Sequence, residues 1–196
     1  MRFLLLIAAV ALSAGTAVAQ TPATAPAGGS DRSDPDISDL ARYGEYVFRA
    51  GGCQECHTDT KAKGPPLAGG RGLPTPYGTF FSPNITPDPQ HGIGSWSEAD
   101  FIQAMRRGKT PDGAPYFPAF PYTSFTKITD EDLRALWTYL KTQPAEAQAN
   151  KPHDLQFPFG LRPLMWGWRL LFFEAGAFEP NPAQSAQWNR GAYLVN

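Results

Sequence analysis

The stretch Gly51–Thr60, GGCQECHTDT, constrains the chain more than any other. It holds both of the chain's cysteines, Cys53 and Cys56, with His57 directly after the second. A zinc centre usually takes four N or S ligands. The only candidates are Cys53, Cys56, His57, His91 and His153, and a cysteine pair beside an adjacent histidine makes poor tetrahedral geometry. A dithiol redox pair normally opens a helix in a β-α-β context, and no strand pattern precedes Cys53. A disulfide between the two cysteines leaves His57 unexplained. Covalent attachment of one haem c uses all three residues: Cys53 and Cys56 form thioethers to the vinyl groups, and His57 is the proximal axial ligand of the iron. That reading needs no third cysteine.

The rest of the sequence agrees with an exported, loop-rich chain. Arg2, the apolar run Phe3–Leu12 and the small-residue pattern Ala17–Ala19 read as a signal peptide over 1–19. The run is short of the roughly 20 apolar residues a membrane span requires. A flexible leader follows over 20–36, rich in Pro, Ala, Gly, Ser and Asp. With 17 basic against 18 acidic residues, nothing points to nucleic acid. Twenty prolines and nineteen glycines argue for long irregular segments.

Three helices are expected over 37–143. Leu40, Tyr43, Val47 and Ala50 recur at helical spacing before Gly51–Gly52, with Ser38 or Asp39 as cap. Ser97 and Asp100 form a capping-box pattern ahead of Phe101, Ile102 and Met105. Thr129 and Asp132 precede Leu133, Leu136, Trp137 and Leu140. No convincing strand is expected. The Pro/Gly-rich stretch from Lys61 to Ser95 reads as one long loop, which is uncommon in a compact domain. Three short helices make a thin core. A flat apolar cofactor would give the loops a surface and fill that core.

The pieces AGGCQECHT, GPPLAGGRGLPTPYGTFFSPNITPD, HGIGSWSEADFIQAMRRG, YFPAFPY and TDEDLRALWTYLKT resemble the first haem domain of cytochrome c subunits that serve bacterial membrane-associated periplasmic dehydrogenases. The resemblance implies an all-α cytochrome c-like domain of short helices and long loops wrapped around one covalently bound haem. It implies electron transfer from a dehydrogenase catalytic subunit towards quinone or an oxidase, not an enzyme in its own right. It also implies a periplasmic location on the outer face of the cytoplasmic membrane. By the same resemblance, the Gly64-Pro65 turn supplies a proline carbonyl that accepts a hydrogen bond from the His57 imidazole.

Many relatives carry an axial methionine in a PAMPY loop; this chain reads PAFPY, with Phe120 in that place. A phenyl ring cannot ligate iron. Met105 or His91 is then the candidate distal ligand, or the sixth position stays open, as in a small-ligand sensor or a peroxidase-like haem protein. Arg71, Asn84, Thr86 and Trp96 are expected either to hold propionates and close the pocket or to pack the loops. His153 is expected at the surface.

The tail, 144–196, is rich in proline and aromatic residues. Phe157–Pro180 reads as an arm docked on a partner, as further core, or as an interfacial anchor with Trp166, Trp168 and Arg169 at the headgroups. Gly191-Ala192-Tyr193-Leu194 echoes Gly44-Glu45-Tyr46-Val47. A second haem motif would follow near position 200, so the expectation is one haem domain of a multi-haem subunit, with a second haem domain missing.

Overall fold

A computed structural model describes residues 37–195; the expected signal peptide and leader lie outside the described residues. Helix α1 (Ile37–Ala50) turns at Gly51–Gly52 into a short helix α2 (Cys53–His57). A hairpin, β1 (Gly72–Thr75) and β2 (Gly78–Phe81), leads to α3 (Glu98–Arg107), α4 (Tyr122–Phe125) and α5 (Asp130–Lys141). The segment β3 (Asp154–Leu155), α6 (Leu164–Phe172) and α7 (Ala186–Val195) completes the order.

The core sits between α1, α3 and α5. Val47 and Phe48 meet Leu133, Leu136 and Leu140, with Phe101 and Met105 closing one side. Burial of each such side chain contributes roughly 1.5–3 kcal/mol. The α1–α5 crossing depends on Gly44, where an added Cβ would lie 1.9 Å from the Ala135 carbonyl oxygen. The α3 start is the expected capping box: Ser97 Oγ accepts from Asp100 N (3.2 Å) and Asp100 Oδ2 accepts from Ser97 N (2.9 Å). At α5, Thr129 Oγ1 caps Asp132 N (3.2 Å). The Asp132 carboxylate is engaged elsewhere. It accepts from Tyr43 OH of α1 (2.8 Å) and from Tyr193 OH of α7 (2.6 Å), joining three helices.

The sheet is a correction to the strand-free expectation. β1 and β2 pair antiparallel with Gly72 opposite Phe81, and β3 adds to the far edge of β2 with Gly78 opposite Leu155. Pro74 lies on the edge strand β1, where its missing N–H is tolerated. The Pro/Gly content hides the hairpin, and its third strand comes from far along the chain. The fold is therefore mostly helix and loop, with a small antiparallel sheet.

After α5 the chain runs as a strap across the 67–91 loops. Gln148 Nε2 donates to Ala68 O (3.0 Å) and Gly69 O (3.3 Å), and Lys151 Nζ to Gly70 O (3.2 Å). Farther on, the inner face of α6 packs on α4: Trp168 and Phe173 lie edge-on to Tyr122, and Arg169 Nη1 donates to Gly108 O (3.3 Å). Trp168 and Arg169 are thus turned onto the domain, while Leu170 and Leu171 are exposed, as is Phe172 beside Trp168. Among the described residues no helix is long and apolar enough to cross a membrane.

Candidate functional site

Helix α2 places its functional side chains within one and a third turns. Cys53 and Cys56 are three residues apart and Cys53 and His57 four, which brings them to neighbouring positions on a helix. Surrounding backbone fixes the turn. Thr58 N donates to Gln54 O (3.0 Å), Gly69 N to His57 O (2.8 Å), and the Arg71 guanidinium to Glu55 O. Gly69 is required twice over. Its φ is +74°, and an added Cβ would lie 2.4 Å from the Pro83 carbonyl carbon.

The His57 ring is held from behind by Nδ1 bonded to the Pro83 carbonyl oxygen at 2.7 Å. A carbonyl only accepts, so Nδ1 carries the hydrogen and Nε2 keeps a lone pair. Burial pushes the imidazole towards its neutral form, and the Pro83 bond opposes this more weakly. A neutral ring with a fixed tautomer is what a metal ligand requires. The partner expected from the sequence is Pro65. Its carbonyl instead accepts from Ala68 N (3.3 Å) in a local turn, and Pro83 takes the role from the far side of the hairpin.

Cys53, Cys56 and His57 all line one cavity of about 560 Å³, within the range of sites for bulky organic ligands. Its walls are mostly apolar and aromatic: Phe80, Ile85, Trp96, Phe101, Phe117, Phe125 and Leu136. The two sulfurs are not joined to each other. Burial, aided weakly by Glu55 and Cys56, pushes the Cys53 thiol up to about 12. A protonated thiol is a poor redox nucleophile, since that role needs thiolate. Among the described residues, no group of three or more His, Cys, Asp or Glu is arranged for a bare metal ion. The geometry fits an apolar macrocycle whose iron meets His57.

The distal candidates are also brought together. Met105, His91 and Phe120 all line this cavity. Met105 is buried on the inward face of α3, and Phe120 packs against Tyr116 and Phe125. Of the residues expected to close the pocket, Trp96 and Asn84 are on the wall, Arg71 clamps α2, and Asn84 and Thr86 organise the loop behind His57.

Sequence reasoning misses the contribution of the tail. Asn150, Lys151, His153 and Arg162 reach the cavity wall. His153, expected at the surface, is solvent-exposed yet packs on Phe80 and Phe117, with Nδ1 accepting from Phe81 N at 3.2 Å. No local signal announces this, because it follows from β3 joining β2.

A Cys-x-x-Cys-His turn on the wall of an apolar cavity, its imidazole backed by a carbonyl, defines a protein of the c-type cytochrome class. The cytochrome c family profile matches residues 41–144, and the chain belongs to that family. It is 49% identical over 157 residues to a nicotinate dehydrogenase subunit of Pseudomonas putida, covering 80% of this chain and 13% of that protein. It is 42% identical over 176 residues to a diheme cytochrome c-type protein of Cereibacter sphaeroides, covering 84% of this chain and 57% of the relative. It is 41% identical over 191 residues to the cytochrome c subunit of a quinone alcohol dehydrogenase of Gluconacetobacter polyoxogenes, covering 96% and 38%. The chain therefore spans from about an eighth to somewhat over half of these relatives' lengths. Haem c is the cofactor that goes with this family membership.

Proposed function

We propose that this chain is an electron-transfer domain, one haem module of a periplasmic cytochrome c subunit. It receives electrons from a dehydrogenase catalytic subunit and passes them towards quinone or an oxidase. Cys53 and Cys56 would hold the haem through thioethers, and His57 Nε2 would ligate its iron. Once held, the group supplies a one-electron ferric/ferrous couple. The chain's own residues keep it rigid and dry: the aromatic wall excludes water, and Pro83 fixes the tautomer of His57. No acid, base or nucleophile is needed for that work. The observation that carries the reading is the 2.7 Å His57–Pro83 bond, which leaves Nε2 available in a cavity shared with both cysteines. The names of relatives, cytochrome c subunits of alcohol, gluconate and fructose dehydrogenases among them, support a dehydrogenase as the electron donor.

For the opposite axial position we propose Met105. Its neutral thioether is already buried at 6% exposure on a helix face fixed by the core, so ligation adds no desolvation of charge. His91 lies on an irregular loop, and its ring is part-exposed. A second reading is favoured by Phe120, which fills the wall beside Tyr116 and Phe125: an open sixth position that binds small gases or peroxide.

The test uses protein matured in a host with cytochrome c assembly. Intact mass should rise by one haem that acid and organic solvent do not extract, and Cys53→Ala/Cys56→Ala should abolish the increment. Colourless wild-type protein would overturn the assignment. Carbon monoxide then separates the distal readings. Slow or absent binding by wild type, becoming fast in Met105→Ala but not in His91→Ala, supports Met105. Rapid binding by wild type supports the open site.

A further inference from the structure

The peptide unit that backs the proximal histidine is bonded at both ends. Its C=O belongs to Pro83 and accepts from His57 Nδ1 at 2.7 Å. Its N–H belongs to Asn84 and donates to Asn150 Oδ1 at 2.6 Å. Asn150 is oriented in turn, because its Nδ2 donates to His91 O at 2.8 Å. The amide edge of Asn150 is thus specified: oxygen towards Asn84, nitrogen towards His91. A continuous path runs from the strap, through one planar amide, to the imidazole.

Several further bonds keep that amide from turning. Asn84 Nδ2 donates to Glu146 O (2.7 Å) and Gln148 O (3.1 Å). Asn84 Oδ1 accepts from Thr86 N (2.9 Å) and Thr86 Oγ1 (2.7 Å). Thr86 Oγ1 also receives Glu146 N at 3.1 Å. Asn84 and Thr86 are buried, so these bonds sit in surroundings where each counts for more than it would in water. Asn150 lies beyond residues 41–144 covered by the family profile. The strap that carries it is also bonded to the loop through Gln148 and Lys151.

We propose that Asn150 is a positioning residue that tunes the electron affinity of the site through the Pro83–Asn84 peptide. The inference rests on the proposed ligation of haem iron by His57. An acceptor on the Asn84 N–H pulls that proton and makes the Pro83 carbonyl oxygen more electron-rich, since hydrogen bonds in series polarise one another. A more basic carbonyl draws the Nδ1 proton harder and gives the imidazole more anionic character. An electron-rich axial ligand favours the ferric state, which lowers the reduction potential. The hydrogen-bonding partner on the outer nitrogen is a general lever on a metal-bound histidine; here it is extended by one peptide into a segment far along the sequence.

The test is a pair of variants with opposite expected signs, Asn150→Ala and Asn150→Asp, in the haem-loaded full chain. Both lose the Nδ2 bond to His91 O, so a purely structural role moves both the same way. If the relay operates, Asn150→Ala raises the reduction potential, because the Pro83 carbonyl is less polarised. Asn150→Asp lowers it, because an anionic acceptor pulls harder on the Asn84 N–H. The His57 Nδ1–H proton resonance of the reduced protein separates the relay from a through-space effect of the new charge. Its downfield position should decrease in Asn150→Ala and increase in Asn150→Asp. Gln148→Ala, which loosens the strap but leaves Asn150 in place, should leave that resonance near its wild-type position.

Potentials of both variants moving in one direction, or a potential that moves with an unmoved Nδ1–H resonance, would overturn the proposal. Should Asn150→Ala fail to mature with haem, Asn150→Asp against wild type still decides. Failure of the underlying reading is distinguishable, because it appears in the wild type as no covalent haem or no histidine-bound iron.

Discussion

The helical half and the loop half of this domain are held together by different physics. In the helical half the buried side chains are mostly apolar, Val47, Phe48, Phe101, Met105, Leu133, Leu136 and Leu140 among them, with the Asp132 carboxylate as the charged exception. The loop half adds Leu67 and Ile93 to that apolar cluster, but it also buries five polar side chains: Thr58, Ser82, Asn84, Thr86 and Asp88. Each is hydrogen-bonded, as with Leu67 N on Thr58 Oγ1 (3.0 Å) and Arg71 N on Ser82 Oγ (3.2 Å). Apolar burial is non-directional and tolerates volume-conserving exchange. A buried hydrogen bond is directional, and removing one partner leaves the other stranded. His57 belongs to both halves. Its helix α2 follows α1, but its orientation is set by the loops. A site built this way gains a rigid histidine at the cost of a wall that depends on its internal bonds.

The largest way to break the comparison is to remove the covalent attachment. On the proposed attachment, Cys53→Ala/Cys56→Ala deprives the cavity wall of the group it would surround. Hydrogen exchange should then show the 61–95 loops and the 144–155 strap losing protection before α1 and α5 do. Equal loss in both halves would mean that the helices depend on the cofactor as much as the loops. Next in size is Gly44→Ala, which forces a methyl to within 1.9 Å of the Ala135 carbonyl oxygen. The α1–α5 pair must separate, at a cost towards the upper end of about 1–3 kcal/mol. A lowered thermal midpoint with the Nδ1–H resonance of His57 retained would place the damage in the helical half alone. Asn84→Ala is the counterpart in the other half. It strands the Glu146 and Gln148 carbonyls and the Thr86 N–H, costing about 1–3 kcal/mol. Strap exchange should accelerate while the α1–α5 amides keep their protection.

What can be read from the sequence follows the same division. The helices α1, α3 and α5 announce themselves through periodic apolar residues and, at Ser97–Asp100 and Thr129, through side-chain caps. These are local signals of a few residues each. The Cys53-x-x-Cys56-His57 motif is equally local, and the roles proposed for its three residues come with it. The hairpin is illegible because Gly72, Pro74, Pro76 and Gly78 suppress any alternating pattern. Its third strand is also more than seventy residues further on. Expecting Pro65 rather than Pro83 is an error of the same kind: nearness in sequence stands in for nearness in space. The cavity-lining role of Asn150, His153 and Arg162 depends on where the strap lands, and no pattern within the tail encodes that. Asp132 shows the limit from the other side. It reads as part of a helix start, yet its carboxylate serves Tyr43 and Tyr193 from two other helices.

The smallest expected effect concerns acid. Burial, and after it the nearby Arg162, hold the His153 imidazole below its usual protonation range. A lowered folded-state value means that the fold favours the neutral ring. Its contribution is complete above the ordinary histidine value of about 6.5 and is lost as pH falls through the depressed one. The Phe81 N–H also donates to the Nδ1 lone pair at 3.2 Å, and a proton placed on Nδ1 removes that acceptor. Lowering the pH from about 7 to about 5 should therefore reduce the protection factor of the Phe81 amide more than that of its β2 neighbours. His153→Phe keeps a ring against Phe80 and Phe117 but has no lone pair. Its Phe81 amide should be weakly protected at both values, with little dependence on pH beyond that of intrinsic exchange. A Phe81 amide in wild type that responds to acid no more than the rest of β2 would show that the strap is held by its Asn84, Gln148 and Lys151 bonds alone. The loop half would then carry no link to the hairpin that responds to acid.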